Sequence, residues 1–159
     1  EIYDVPGNRD LSVDAYMARV SQCYTPFHKQ VAQAISWAKV PPVLVTIHSF
    51  TPVYFGKQRA TDIGILHDED SRLADAMLAH AEQMSTMKIE RNEPYGPEDG
   101  VTYTLQRHGI EHKLLNVMIE VRNDLIKTEA QQDEMAQLLS DMVQRALNTL
   151  DEISAGEAS

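Results

Sequence analysis

The stretch that most constrains this chain is Val43-Leu-Val-Thr-Ile47, a run of apolar and β-branched residues bounded by Pro41-Pro42 and His48-Ser49. A short continuous run of this kind fits a strand buried on both faces, as in a parallel sheet. It is far shorter than the roughly 18 apolar residues a membrane span takes, and no other apolar run in the sequence is longer.

Thr61-Asp-Ile-Gly-Ile-Leu66, Met87-Lys-Ile-Glu-Arg91 and Leu115 to Val121 read as further strands. Helical spacing separates them. Ser12 can cap a helix carrying Val13, Tyr16, Met17, Val20 and Tyr24. Pro26 breaks or kinks that helix, or Thr25-Pro26 starts a second one bearing Phe27, Val31, Ala34, Ile35 and Ala38. Leu73, Met77, Leu78, Ala81 and Met84 form another stripe, with possible N-caps from Asp68 to Ser71. Asn92 to Gly100, with its prolines and glycines, reads as a loop. Thr128 begins the last helix, with Gln131 completing a capping box. The residues from Ala155 to Ser159 are small and polar and are expected to fray. Strands alternating with helices imply one α/β domain over residues 1–154, with a mostly parallel or mixed sheet and helices on both faces.

Acidic residues number 24 and basic residues 14, for a net charge of −10. That balance argues against nucleic acid and against anionic lipid, both of which select for surplus Lys and Arg. The single cysteine, Cys23, is expected to be a small buried hydrophobe and fits a reducing, cytoplasmic setting. The N-terminus shows no basic region followed by an apolar stretch, so no signal peptide is expected there. It also lacks an initiating Met, which suggests a processed or truncated start.

In open α/β sheets the working residues lie beyond the carboxyl ends of the strands. His48 ends the first strand, where its imidazole is either a zinc ligand or acid/base group, or a hydrogen-bonded strand cap. Glu120 lies inside an apolar strand with Arg122 two residues on and on the same face. A carboxylate there is costly to bury. It is therefore either ion-paired, with Arg122 or a neighbour, or a general base. Arg59 could clamp a substrate carboxylate, with Asn92 and Tyr95 as hydrogen-bonding partners, although solvated loop residues are the favoured reading of all three. His80 reads as surface. His108 and His112 are spaced i, i+4, but Gly109 between them weakens a helical metal pair, and His108 is the better site candidate. No GxSxG, GxxxxGK[ST] or GxGxxG string occurs, and Asp68-Glu69-Asp70 reads as helix-end and solvated charge.

His48-Ser-Phe-Thr-Pro-Val53, Gly56-Lys-Gln-Arg59, Ile63-Gly-Ile-Leu66, Asp70-Ser-Arg-Leu73, Asn92-Glu-Pro-Tyr95, Tyr103-Thr104 with His108, and Ile119-Glu-Val-Arg-Asn-Asp-Leu-Ile126 occur in this order. Together with Pro6-Gly7-Asn8 and Pro26-Phe27-His28, the set resembles the N-formylglutamate amidohydrolase family from residue 6 to about residue 127. That family is similar in turn to the zinc carboxypeptidases. The resemblance implies a phosphorylase/hydrolase-like α/β fold, with His48 as a zinc ligand and Glu120 as general base and proton shuttle. The implied substrate is a small N-formyl or N-acyl amino acid such as N-formylglutamate, held by Arg59, Asn92, Tyr95, His108 and Arg122. The alternatives are a catalytically incomplete module, or a hydrolase acting on a peptide-type amide. Family members also carry an N-terminal portion with a Cys-Asp/Glu-His-Ala string, which this sequence lacks. The chain is accordingly read as the C-terminal portion of a larger domain, with the remaining zinc ligands expected upstream. A homo-oligomer is compatible with this reading.

Overall fold

The computed structural model describes residues 6–157. The expectations for Glu1–Val5 and for the last two residues lie outside them. The chain divides into two compact units, residues 1–42 and 43–159.

The first unit is helical. Ser12 caps α1 (Val13–Arg19), its hydroxyl accepting the Ala15 N–H at 3.2 Å. Of the two outcomes expected at Pro26 the second holds, since a new helix starts at Thr25-Pro26, joined to the first by a widened turn. Residues Val20–Tyr24 are π-helical and lead into α2 (Thr25–Trp37), with the Thr25 N–H bonding back to the Val20 carbonyl. Proline has no N–H to give, and its ring crowds the carbonyl four residues back. A π turn accommodates both by inserting one residue into the ladder. Cys23, expected inside, is exposed on this turn. Its position on the helix rather than its residue type decides the outcome.

The second unit is built on a sheet of four strands, β1 (Leu44–Phe50), β4 (Ile63–Leu66), β5 (Ile89–Arg91) and β6 (Asn116–Arg122), in the order β1-β6-β4-β5. β1 runs parallel to β6 and β4 parallel to β5, while β4 and β6 are antiparallel. The sheet is therefore mixed. Between β1 and β4, strands β2 (Val53–Tyr54) and β3 (Lys57–Gln58) form a small hairpin. Phe55 and Gly56 make its turn with φ of 45° and 77°, the pattern of a type I′ turn.

Paired residues point to the same side of a sheet, and successive residues alternate. One face therefore carries Val45, Val117, Ile119, Val121, Ile63 and Ile65. These pack with Leu73, Ala74 and Met77 of α3 (Arg72–Met84), and with Met135, Leu139, Met142 and Ala146 of α4 (Glu129–Glu157). Each such side chain contributes about 1.5–3 kcal/mol by leaving water. α4 starts as its sequence suggests. Gln131 Oε1 accepts the Thr128 N–H at 3.1 Å, and Thr128 Oγ1 accepts the Gln131 N–H at 3.3 Å. The helix continues to Glu157, so Ala155 to Glu157, expected to fray, are helical. His80, expected on the surface, is partly buried between the two helices, with Nε2 2.9 Å from Thr149 Oγ1. The opposite face carries Leu44, Met118 and Leu66, packed with Leu105, Tyr95 and Val101 from the segment between β5 and β6.

The apolar run at residues 43–47 forms a strand, but not one buried on both faces. β1 is an edge strand with only intermediate burial through Thr46, and Ile47 is 57 % exposed. The doubly buried strands are β4, buried throughout, and β6, where every residue from Asn116 to Val121 is buried. Burial on both faces depends on place in the sheet order, which composition does not encode.

Candidate active site

The row His48–Glu120–Gly64 crosses three strands of the sheet in register. All three positions point to the face opposite the helices. Glu120 lies at the middle of this row and is 2 % exposed. His48 lies next to it on the edge strand and is exposed. Partial desolvation still holds its imidazole below the ordinary value, so at neutral pH it is uncharged and offers a ring lone pair.

Gly64 explains how this face is closed. A Cβ there would lie 1.9 Å from the backbone oxygen of Glu93. The loop after β5 thus lies directly on the sheet at the row holding Glu120. Asn92 turns the chain into that position with φ at +48°. Its N–H donates to the Ile65 carbonyl at 3.1 Å, and its Oδ1 accepts the His67 N–H at 2.9 Å. Asn is among the few non-glycine residues that enter this conformation at low cost.

The same loop brings Tyr95 to Arg59. The Arg59 guanidinium lies over the rings of Tyr54, Phe50 and Tyr95, at 4.5, 5.5 and 5.6 Å from their centroids. Its Nη1 also donates to the Thr51 carbonyl at 3.2 Å. Phe50 stands two residues beyond His48 on the same face, a rise of about 6.6 Å along the strand. A cation is therefore held one pleat away from the His48–Glu120 pair.

His108 is 2 % exposed on the π-helical turn Leu105–Ile110. Gly109 beside it lies so close to β6 that a Cβ would meet the Asn116 side chain at 2.7 Å. Leu105 of this turn packs on the site face, whereas His112 is exposed beyond the turn.

Arg122 is committed elsewhere than to Glu120. Its guanidinium meets Asp62 and Asp124 at 2.7 Å each and the Thr61 carbonyl at 3.2 Å. The Asp124 hydrogen bond is the main reason the Arg122 value is raised and that of Asp124 lowered. Arg122 thus ties the end of β6 to the start of β4. The structure therefore groups His48, Glu120, Arg59 and Tyr95 on one face, with the His108 turn against it. Asn92 serves as a loop former and Arg122 as an ion-pair hub.

Three contributors escaped the sequence reading. Gly64 does have a signal, since an isolated glycine inside a strand marks close backbone approach. The aromatic rings around Arg59 come from three separate segments and have none. Asp68, read as solvated charge, accepts hydrogen bonds from Thr102 Oγ1 and from Gln106 Nε2, the latter at 2.8 Å. It ties the start of the π turn to the end of β4.

A catalytic zinc site takes three protein ligands. Among the described residues no group of three His, Cys, Asp or Glu side chains could hold a metal ion. His48 with Glu120 makes at most part of such a site, so the described residues do not fit zinc by themselves.

The sequence profile of the N-formylglutamate amidohydrolase family matches residues 1–127. No curated protein sequence matches. The chain is similar to the crystal structure of gene product Atu2144 from Agrobacterium tumefaciens. The TM-score is 0.88 with 52 % identity, over 95 % of this chain and 61 % of that one. It is also similar in fold to N-formylglutamate amidohydrolase from Ralstonia eutropha JMP134. There the TM-score is 0.59 with 21 % identity, over 94 % of this chain and 57 % of that one. This chain therefore spans about three fifths of the length of the solved structures it matches.

Proposed function

Because the chain belongs to the N-formylglutamate amidohydrolase family, we propose that it carries the proton-transfer centre of an amidohydrolase acting on a small N-formyl or N-acyl amino acid such as N-formylglutamate. The observation that supports this most directly is Glu120, a carboxylate buried at mid-strand beside an uncharged imidazole in register. A structural role by pairing with Arg122 loses its force, since that guanidinium is engaged with Asp62 and Asp124.

In this reading Glu120 removes a proton from the attacking water as the water oxygen bonds to the acyl carbon. It then delivers the proton to the amine nitrogen as the C–N bond breaks. The products are formate, or the corresponding carboxylate, and the free amino acid. Arg59 binds a carboxylate of the substrate about one pleat from the reacting carbon, and the Tyr54, Phe50 and Tyr95 rings fix its plane. Tyr95 and the buried His108 line the same face. Zinc would polarise the acyl oxygen and acidify the water. Among the described residues only His48 is offered as its ligand.

The test is formate release from N-formylglutamate with zinc supplied. Glu120→Gln should lower the rate by at least about 10²-fold at unchanged melting temperature. An equally active Glu120→Gln chain would refute the role of Glu120. A panel of N-acyl amino acids and short peptides then separates formyl from other amide substrates.

A second reading is favoured by one observation, the lack of a three-ligand group among the described residues. The chain would then be a catalytically incomplete module. Substoichiometric zinc together with no formate release supports that reading, and stoichiometric zinc with turnover ends it.

A further inference from the structure

Charge is spread unevenly along this acidic chain. From Ala15 to Thr61 the sequence contains no Asp or Glu. Where that stretch enters the second unit, its lysine and arginine are Lys57 and Arg59. Both lie on the hairpin beside the site.

The hairpin register fixes the side on which they stand. Tyr54 pairs with Lys57, and Val53 with Gln58. The Arg59 N–H donates to the Pro52 carbonyl at 2.8 Å, so the pairing runs on to Pro52 and Arg59. Successive side chains alternate along a strand, and paired residues share a side. Tyr54, Lys57 and Arg59 therefore occupy one side of the hairpin, and Val53 and Gln58 the other. The first side is the one turned to the site, because the Arg59 guanidinium lies over the Phe50 and Tyr95 rings as well as that of Tyr54. Lys57 stands two residues before Arg59, about 6.6 Å along the strand.

The two cations differ in freedom. Arg59 is partly buried and is fastened to the Thr51 carbonyl and hydroxyl. Lys57 is exposed, and among the described residues no carboxylate pairs with it. Its ammonium is a compact charge on a flexible stem. A fixed cation and a mobile one on the same side, with no acidic residue on their own segment to neutralise them, suit a ligand that carries two carboxylates.

We propose that Lys57 is the side-chain selector of this site, taking a second carboxylate of the substrate while Arg59 takes the first. The inference rests on the carboxylate-binding role proposed for Arg59. It assigns the discrimination between an acidic side chain and its neutral isostere, glutamate against glutamine, to one ammonium on the hairpin. The flexible stem also spans the single methylene by which aspartate is shorter than glutamate, so the selection is for charge rather than length.

The experiment measures binding without turnover. The 159-residue chain carrying Glu120→Gln is titrated with N-formylglutamate and with N-formylglutamine, and backbone amide shifts are followed. The glutamate compound should bind about fivefold more tightly at low salt and move the Lys57 and Arg59 amides, with the preference shrinking at high salt. Lys57→Met should bring the two compounds to equal affinity, Lys57→Arg should keep the preference, and Lys57→Glu should reverse it. The position is exposed, so each variant should melt within about 2 °C of the parent chain. A preference that survives Lys57→Met overturns the proposal, as does equal binding of the two compounds by the parent chain. Binding of neither compound overturns the Arg59 anchor and the Lys57 selector together. Formate release is read separately with Glu120 intact. Selective, Lys57-dependent binding without release supports the selector and refutes the hydrolytic reading alone.

Discussion

Gly64→Ala tests the closure of the site face in a single methyl group. The added Cβ would start 1.9 Å from the Glu93 oxygen, whereas ordinary contact begins at 3.4 Å. The loop must therefore retreat by about 1.5 Å, or the strand must bend. Neither is easy. β4 is wholly buried between β5 and β6, and the loop is fastened by the hydrogen bonds of Asn92. Overpacking in a buried site costs about 1–3 kcal/mol, and a backbone neighbour puts this case at the upper end. At about 3 °C per kcal/mol for a chain of this size, the melting temperature should fall by roughly 10 °C. A control is Gly156→Ala, where a Cβ meets nothing within 4 Å. That change lies in a helix and should stabilise by up to about 1 kcal/mol. Circular dichroism melts of both variants suffice. If Gly64→Ala melts within about 2 °C of the parent chain, the Glu93 carbonyl does not lie on Gly64, and the placement of Tyr95 over Arg59 falls with it.

Asn92→Ala keeps the positive φ without the side chain that tolerates it, and deprives the His67 N–H of its acceptor. A loss of about 2 kcal/mol is expected in urea unfolding, and Asn92→Gly should lose less. Thr128→Ala removes half of the capping box of α4 and should cost about 1 kcal/mol, read as a lower urea midpoint at unchanged slope. Arg59→Lys replaces a flat cation by a point charge among three rings, and should raise KM for a carboxylate substrate while leaving kcat nearly unchanged. Acid should destabilise the fold through specific groups. Burial raises Asp68, but hydrogen bonds from Thr102, Gln106 and the Glu69 N–H outweigh it and leave its value lowered. Arg72 lowers Asp70 and Arg122 lowers Asp124. The unfolded chain then binds more protons in the window below about pH 4, so stability present above that pH is lost as pH falls through it. Asp68→Asn should flatten the acid limb of a stability–pH curve, and an unchanged limb would show that its hydrogen bonds do not hold.

The local periods were readable because they depend on neighbours in sequence. The stripes of α3 and α4, the Thr128–Gln131 box and the strand-forming runs all reappear in the structure. What depends on distant pairing was not. Nothing in Val43–Ile47 or in Leu115–Val121 says which lies at the edge and which at the centre. The two runs are similar in composition and opposite in burial. The hairpin at Val53–Gln58 has little sequence signal because its turn places Phe rather than Asn or Asp ahead of Gly56. His80 looked like surface because its partner Thr149 lies 69 residues away. At the site, His48, Glu120, Arg59 and Tyr95 were individually visible as chemistry at strand ends and in loops. Their grouping on one face needed the register His48↔Glu120 and the glycine at position 64, which only the paired strands reveal.

The strand order also sets a timetable for the nascent chain. β6 joins β1 to β4, so β1 has no neighbour in the sheet until residue 122 has been made. That is about 70 residues after β1 is complete, or roughly 4 to 14 s at ordinary elongation rates. Through that interval the Val-Leu-Val-Thr-Ile run has no strand partner among the described residues. α4, which covers the opposite sheet face, follows later still. On the ribosome the β1 run is therefore most open to mispairing before β6 emerges.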